Sequence, residues 1–136
     1  MKVKAIHHIG VAVKNLEESA SRWAALFGAE RGAVEEIPER GVRIIQLHFR
    51  EGPAVELASP LGGQSAVAKF LEKHGEGIHH FALEVEDIEG TVEMLKKAGF
   101  ELTTDRPQAG AGGSLIVFVH PKSLNGVLLE LRQAAE

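Results

Sequence analysis

The sequence predicts an α+β fold in which two modules of order β-α-β-β-β follow each other along the 136-residue chain. The first observation is an internal repeat, because residues 6–13 (IHHIGVAV) return as residues 78–85 (IHHFALEV). The second is that one amphipathic helical pattern follows each copy, and the third is that short strand-like segments complete each half. A doubly wound parallel sheet, the alternative, would need more helices per strand.

The first module is expected to span about residues 3–60. Its helix begins after Asn15, a suitable N-cap, and ends at Gly28, a suitable C-cap, with apolar residues at three- and four-residue spacing between them. Its strands are expected at about 6–13, 31–37, 42–50 and 53–59.

A linker helix at about residues 64–75 precedes the second module, which is expected to span about residues 76–134. The helix of this module begins after Asp87 and ends at Gly99. Its strands are expected at about 78–85, 101–105, 114–119 and 126–133. Since each module covers only one face of its sheet with a helix, we expect one domain over residues 1–136. In that domain the bare faces form a curved mixed sheet and the helices lie outside.

Composition excludes several classes of function. The chain has no cysteine, so it has no disulfide, thiol nucleophile or Cys-ligated metal. Its net charge of −4 and scattered Lys and Arg argue against binding to nucleic acid. No apolar run approaches the ~20 residues of a membrane span, and no targeting pattern is visible, so we expect a cytoplasmic protein without membrane contact.

Strand parity selects four polar side chains for a common surface. In strand 6–13 the apolar residues alternate with small ones, and His8 falls on the face of small residues, away from the helix. The same test on the repeat and on the last strand of each module gives the full set: His8, Glu56, His80 and Glu130. A single His or Glu on a strand is more often a satisfied core or surface group, but recurrence under the repeat favours a site. Two imidazoles and two carboxylates suit Co, Ni, Mn, Fe or Zn better than Cu(I), and leave coordination positions open for a Lewis-acid catalyst.

Other polar features are weaker candidates. His48 and His120 also correspond under the repeat and could face the same surface, although a role at strand ends is favoured for both. Residues 110–113 (GAGG) lack the spacing of a dinucleotide-binding loop, so they predict a loop beside the cavity or a plain turn.

The motifs resemble the methylmalonyl-CoA epimerase family, within the vicinal oxygen chelate superfamily that includes glyoxalase I and bleomycin-resistance proteins. The resemblance covers nearly the whole chain. The His-Pro-Lys turn and the linker helix carry it more specifically than the four ligands, which the whole superfamily shares. The matching stretches are residues 7–13, 56–61, 65–71, 77–82, 120–122 and 126–131.

The resemblance implies metal-dependent epimerisation of (R)- and (S)-methylmalonyl-CoA through an enolate, on an acyl-CoA substrate and in a homodimer. It implies Co²⁺ as the metal, with Ni²⁺, Mn²⁺, Zn²⁺ or Mg²⁺ as alternatives. The implied ligands are His8, Glu56, His80 and Glu130. Glu130 is the implied acid/base group, and Glu56 is a ligand and the candidate partner. Some members carry a Glu base where this chain has Ile44, so the second acid/base group stays open.

The alternatives belong to the same superfamily. Glyoxalase I (lactoylglutathione lyase) needs a similar metal and base. An antibiotic-binding protein catalyses no reaction and does not need a metal, so the presence of all four ligands argues against it. An extradiol dioxygenase would use an acid/base Tyr in the family pattern, and this chain has no Tyr. Basic candidates for contact with the phosphates of CoA are Lys69, Arg106 and Lys122.

Overall fold

The structure of the chain, a computed structural model, describes residues 2–136. These residues form two compact units, one of residues 8–79 and one of residues 2–7 with 80–136. The helices and strands, in chain order, are β1 (Val3–Ala12), α1 (Leu16–Phe27), β2 (Glu30–Arg31), β3 (Glu35–Ile37), β4 (Val42–His48), β5 (Ala54–Pro60), α2 (Ala66–His74), β6 (Gly77–Val85), α3 (Ile88–Lys97), β7 (Gln108–Ala109), β8 (Leu115–Val119) and β9 (Leu129–Gln133).

The unit of residues 8–79 is a mixed sheet covered on one face by α1. Strand β5 pairs in parallel with β1 and antiparallel with β4, and β4 pairs antiparallel with β2 and β3. The Asn15 side chain accepts a hydrogen bond from the backbone N–H of Glu18 and caps α1, which ends at Gly28 in the left-handed conformation. The core beneath α1 consists of Val11, Val13, Leu16, Ala20, Ile45, Leu47 and Leu57. The strand residues of this core have the parity that the sequence predicts for the helix side.

The second unit has the same arrangement. Strand β9 pairs in parallel with β6 and antiparallel with β8, and β8 pairs antiparallel with β7. The Asp87 side chain caps α3 by accepting from the backbone N–H of Gly90. The core here consists of Val85, Ile88, Val92, Leu95, Val117, Val119, Leu129 and Leu131. The predicted α+β class, with one helix against a mixed sheet in each module, is confirmed. That the chain folds as a single domain stays a prediction.

The strand expected at residues 31–37 is two strands. Arg31 pairs with Leu47 of β4, and Glu35 pairs with Ile44 of β4. The two pairings are four residues apart along residues 31–35 but only three residues apart along β4. One extra residue in one of two paired strands is a β-bulge, which breaks the ladder locally. The bulge is the physical reason why one predicted segment became β2 and β3.

Two strands of the second module are also shorter than expected. In residues 101–105 only Leu102 forms a bridge, to Val119, and the ladder next to β8 is formed by β7 instead. Strand β9 begins at Leu129 rather than at 126, because Asn125 and Gly126 have φ values of 54° and 84° and form a turn. The glycine-rich segment 110–113 is a tight turn in which the Ser114 hydroxyl donates to the carbonyl of Ala111.

Among residues 2–136, no helix has the length and the apolar character that crossing a membrane requires.

Candidate metal site

The unit of residues 8–79 contains a buried His–Glu pair on two neighbouring parallel strands. His8 on β1 is 2% exposed and Glu56 on β5 is 1% exposed, and His8 Nε2 lies 3.5 Å from Glu56 Oε2. The register places Gly10, two residues beyond His8, opposite Glu56. Because Gly10 has no side chain, the face that carries His8 has room for the carboxylate beside the imidazole.

The other unit contains the equivalent pair. His80 on β6 and Glu130 on β9 are each 2% exposed, and His80 Nε2 lies 3.4 Å from Glu130 Oε1. Here Ala82, again two residues beyond the histidine, is opposite Glu130. The repeat in the sequence is therefore a repeat in geometry, in strand pairing, in burial and in the distance between imidazole and carboxylate.

Each carboxylate also has a neighbour on the antiparallel strand beside it, and this neighbour differs between the two pairs. The sequence analysis did not predict either neighbour. Gln46 on β4 is opposite Glu56, and its Nε2 donates a hydrogen bond of 3.1 Å to Glu56 Oε2. Phe118 on β8 is opposite Glu130, and its ring lies edge-on to the His80 ring with centroids 5.5 Å apart. The parity of Gln46 was visible in the sequence, but its partner depends on the register between two strands.

The weaker histidine candidates have other surroundings. His48 is exposed at the end of β4. His120 is half-exposed and caps a short 3₁₀ turn, where its Nδ1 accepts a hydrogen bond of 3.1 Å from the backbone N–H of Lys122. His48 thus lies at a strand end, the kind of role that the sequence favoured for both histidines, and His120 directly follows β8 and caps the turn after it.

Ile44 stands where the resemblance implied a Glu base in some members of the family, and this residue is apolar and buried. Ile44 is 2% exposed, and its neighbours in register are Ala58 on β5 and Glu35 on β3. Because residues directly opposite each other in an antiparallel pair share a face, the carboxylate next to Ile44 in this ladder is that of the half-buried Glu35.

The basic candidates for phosphate contact are exposed. Lys69 lies on α2, Arg106 lies in the segment before β7, and the Lys122 ammonium lies 3.0 Å from the carboxylate of Glu101. The ion pair of Lys122 is mostly exposed, so solvent and salt screen it and a phosphate can compete for the ammonium.

The buried residues fit a divalent metal ion by their chemistry. In each pair the imidazole and the carboxylate are buried and lie side by side. Imidazole and carboxylate are ligands for first-row divalent metals, and buried groups of this kind are expected to be paired or to coordinate a metal.

A family model described as the Glyoxalase/Bleomycin resistance protein/Dioxygenase superfamily matches residues 7–118. The chain belongs to this superfamily. Ethylmalonyl-CoA/methylmalonyl-CoA epimerase from Cereibacter sphaeroides is 42% identical to it over 130 residues, which cover 94% of this chain and 96% of the relative. The expected resemblance to methylmalonyl-CoA epimerases is thereby confirmed.

Two solved structures are similar to this chain over almost its full length. Methylmalonyl-CoA epimerase from Mycobacterium tuberculosis is similar with a TM-score of 0.94 and 31% identity, covering 98% of this chain and 90% of that chain. A methylmalonyl-CoA epimerase in complex with methylmalonyl-CoA and NH4+ is similar with a TM-score of 0.94 and 34% identity, covering 98% and 96%.

Proposed function

We propose that this chain is a racemase/epimerase that interconverts (R)- and (S)-methylmalonyl-CoA by removing the proton from C2 and returning it to the opposite face. The observation that carries the proposal is full-length similarity to methylmalonyl-CoA epimerases, one of them solved with methylmalonyl-CoA. The buried imidazoles and carboxylates of the chain support it, because proton abstraction beside a carbonyl needs a base and a means of stabilising negative charge.

The proposal includes one divalent metal ion held by His8, Glu56, His80 and Glu130, with Co²⁺ preferred and Ni²⁺, Mn²⁺, Zn²⁺ or Mg²⁺ as alternatives. When bound, such an ion stabilises the negative charge that develops on the substrate's oxygens as the proton leaves C2. Support comes from the residue types, their burial and their recurrence in both modules.

The protein's own groups must move the proton. We assign Glu130 as an acid/base group, because it is a buried carboxylate with an apolar side chain opposite it on the neighbouring strand. Glu56 is assigned as a ligand and as the candidate partner, since Ile44 offers no carboxylate at the position where some members carry one.

Two measurements on the purified protein test the reaction. Incubated with methylmalonyl-CoA in heavy water, it is expected to replace the C2 proton by deuterium. Incubated with methylglyoxal and glutathione, it is expected to give no lactoylglutathione. Formation of lactoylglutathione without C2 exchange would establish the glyoxalase alternative. Tight binding of a bleomycin-type antibiotic without either reaction would establish the binding-protein alternative.

The assembly and the location of the enzyme are also proposals. A homodimer is supported by sheet edges, which proteins commonly cover by pairing, and by symmetry, since C2 dimers are the commonest assemblies. The cytoplasm is the proposed location. Lys69, Arg106 and Lys122 are the proposed contacts to the phosphates of CoA, because exposed ammonium and guanidinium groups bind phosphate. Replacing each in turn by Met should raise KM for methylmalonyl-CoA at low salt if that residue contacts a phosphate.

A further inference from the structure

In the unit of residues 2–7 with 80–136, the sheet face that carries His80 and Glu130 also carries an ion pair. Side chains alternate along a strand, so Glu84 on β6 points to the same side as His80, and Arg132 on β9 points to the same side as Glu130. Glu84 and Arg132 are partners in the parallel ladder between these two strands. Arg132 Nη1 donates a hydrogen bond of 2.5 Å to Glu84 Oε1.

This ion pair is largely removed from water, because the side chains of Glu84 and Arg132 are 13% and 12% exposed. Taking two charges out of water is costly, and buried ion pairs can often be replaced by apolar residues without loss of stability. Two of their neighbours on the same face, Ala82 and Ile116, are apolar and buried. Recognition of a charged group therefore explains the pair better than stability alone.

The guanidinium of Arg132 is held in place and still has donors to offer. Glu84 is fixed at its other oxygen, Oε2, which accepts a hydrogen bond of 2.8 Å from the backbone N–H of Ala134. A guanidinium has five N–H donors, and within residues 2–136 only Glu84 accepts from this one. None of the Arg132 nitrogens is a buried atom without a partner, so the donors on Nε and Nη2 are accessible to a ligand.

The turn of residues 110–113 lies against the same face. Ile116 on β8 is opposite Arg132, and a Cβ at Gly110 would come within 2.6 Å of Ile116 Cγ2. The backbone at Gly110 therefore packs directly on the side chain beside Arg132, which only glycine permits. This contact excludes water from one side of the guanidinium, and a charge-assisted hydrogen bond is stronger where water is excluded.

We propose that Arg132 binds the free carboxylate of a malonyl-type acyl-CoA, and that Glu84 is a positioning residue that orients the guanidinium. The planar edge formed by Nε and Nη2 can donate two parallel hydrogen bonds to a carboxylate, which an ammonium cannot do. Arg132 is two residues beyond Glu130 on one face of β9, so a carboxylate bound there belongs to a substrate whose reacting carbon lies near the His80–Glu130 pair. The proposal rests on the proposed function, since it names the residue that selects an acyl-CoA with a free carboxylate over one without it.

The test removes both charges together, so that no buried charge is left unpaired. In Glu84→Gln/Arg132→Gln, the Kd for methylmalonyl-CoA, measured by calorimetry, should rise by about tenfold or more. The Kd for propionyl-CoA, which lacks the carboxylate, should stay at the parent value. Glu18→Gln/Arg22→Gln, the same substitutions in an exposed ion pair on α1, is the matched control and should bind both compounds as the parent does. If the first variant does not fold, as judged by circular dichroism, Arg132→Lys keeps the charge without the planar edge and should show the same selective loss.

Two results would overturn the proposal. The folded variants may bind methylmalonyl-CoA with the parent Kd or weaken both compounds equally, and in either case the ion pair is only structural. The unsubstituted protein may also fail to bind methylmalonyl-CoA more tightly than propionyl-CoA, which removes the selectivity to be explained. Failure of the proposed function is a different result, because the unsubstituted protein then leaves the C2 proton of methylmalonyl-CoA unexchanged.

Discussion

Replacing Glu130 by Gln removes a proton acceptor while leaving the shape of the buried side chain unchanged. Glu130 is 2% exposed, and one of its oxygens lies 3.4 Å from His80 Nε2. An amide oxygen can still approach a metal, but it cannot take a proton from C2 at neutral pH. A positioned general base typically contributes 10²–10⁴-fold, so we expect C2 exchange to fall by at least ~10²-fold, which corresponds to about 2.7 kcal/mol of activation free energy.

The assay measures deuterium incorporation into methylmalonyl-CoA by mass spectrometry, with metal content measured on the same samples. Glu89→Gln, the same substitution on the exposed side of α3, is the control and should exchange at the parent rate. If Glu130→Gln retains metal and also exchanges at the parent rate, Glu130 is not the base and the assignment fails. Glu56→Gln, tested beside it, shows whether that carboxylate moves the proton instead.

Three further predictions concern metal binding, stability and assembly. His80→Ala should reduce bound metal from about one ion per chain by tenfold or more, measured by atomic emission, because a buried imidazole is lost; unchanged metal content would exclude His80 as a ligand. Arg132→Met removes a guanidinium that lies 2.5 Å from Glu84, with both side chains nearly buried, and should lower the free energy of unfolding in urea by about 2 kcal/mol; an unchanged unfolding midpoint would contradict this. Light scattering at micromolar concentration should give twice the mass of the chain, and a monomer mass would refute the dimer.

The fold class could be predicted, and the four candidate site residues could be selected, because both steps depend on local periodicity. Side chains alternate along a strand, so the apolar residues beside His8 and His80 reveal which face the helices cover. The internal repeat then selects Glu56 and Glu130 by the same parity. The structure shows two buried His–Glu pairs, as the repeat indicates, and the role of the four residues as one site stays a prediction.

What could not be predicted depends on register between strands that are distant in the sequence. The hydrogen bond from Gln46 to Glu56 exists because β4 and β5 pair at those two residues. The bulge between β2 and β3 likewise depends on their pairing with β4, and a one-residue change of register is invisible in the pattern of apolar residues over so short a segment. The later start of β9 has a local cause, because Asn125 and Gly126 have positive φ values and form a turn. Asn followed by Gly is a common turn signal, so this difference could have been predicted from the sequence.

The measurement that tests the central claim most directly is deuterium exchange at C2 of methylmalonyl-CoA, compared between chelator-treated protein and the same protein after addition of Co²⁺. We predict that exchange is lost after chelation and restored by Co²⁺, with one ion bound per chain at full restoration. Exchange that continues at the parent rate in protein with no measurable metal would contradict the proposed role of His8, Glu56, His80 and Glu130 as the ligands of a catalytic metal.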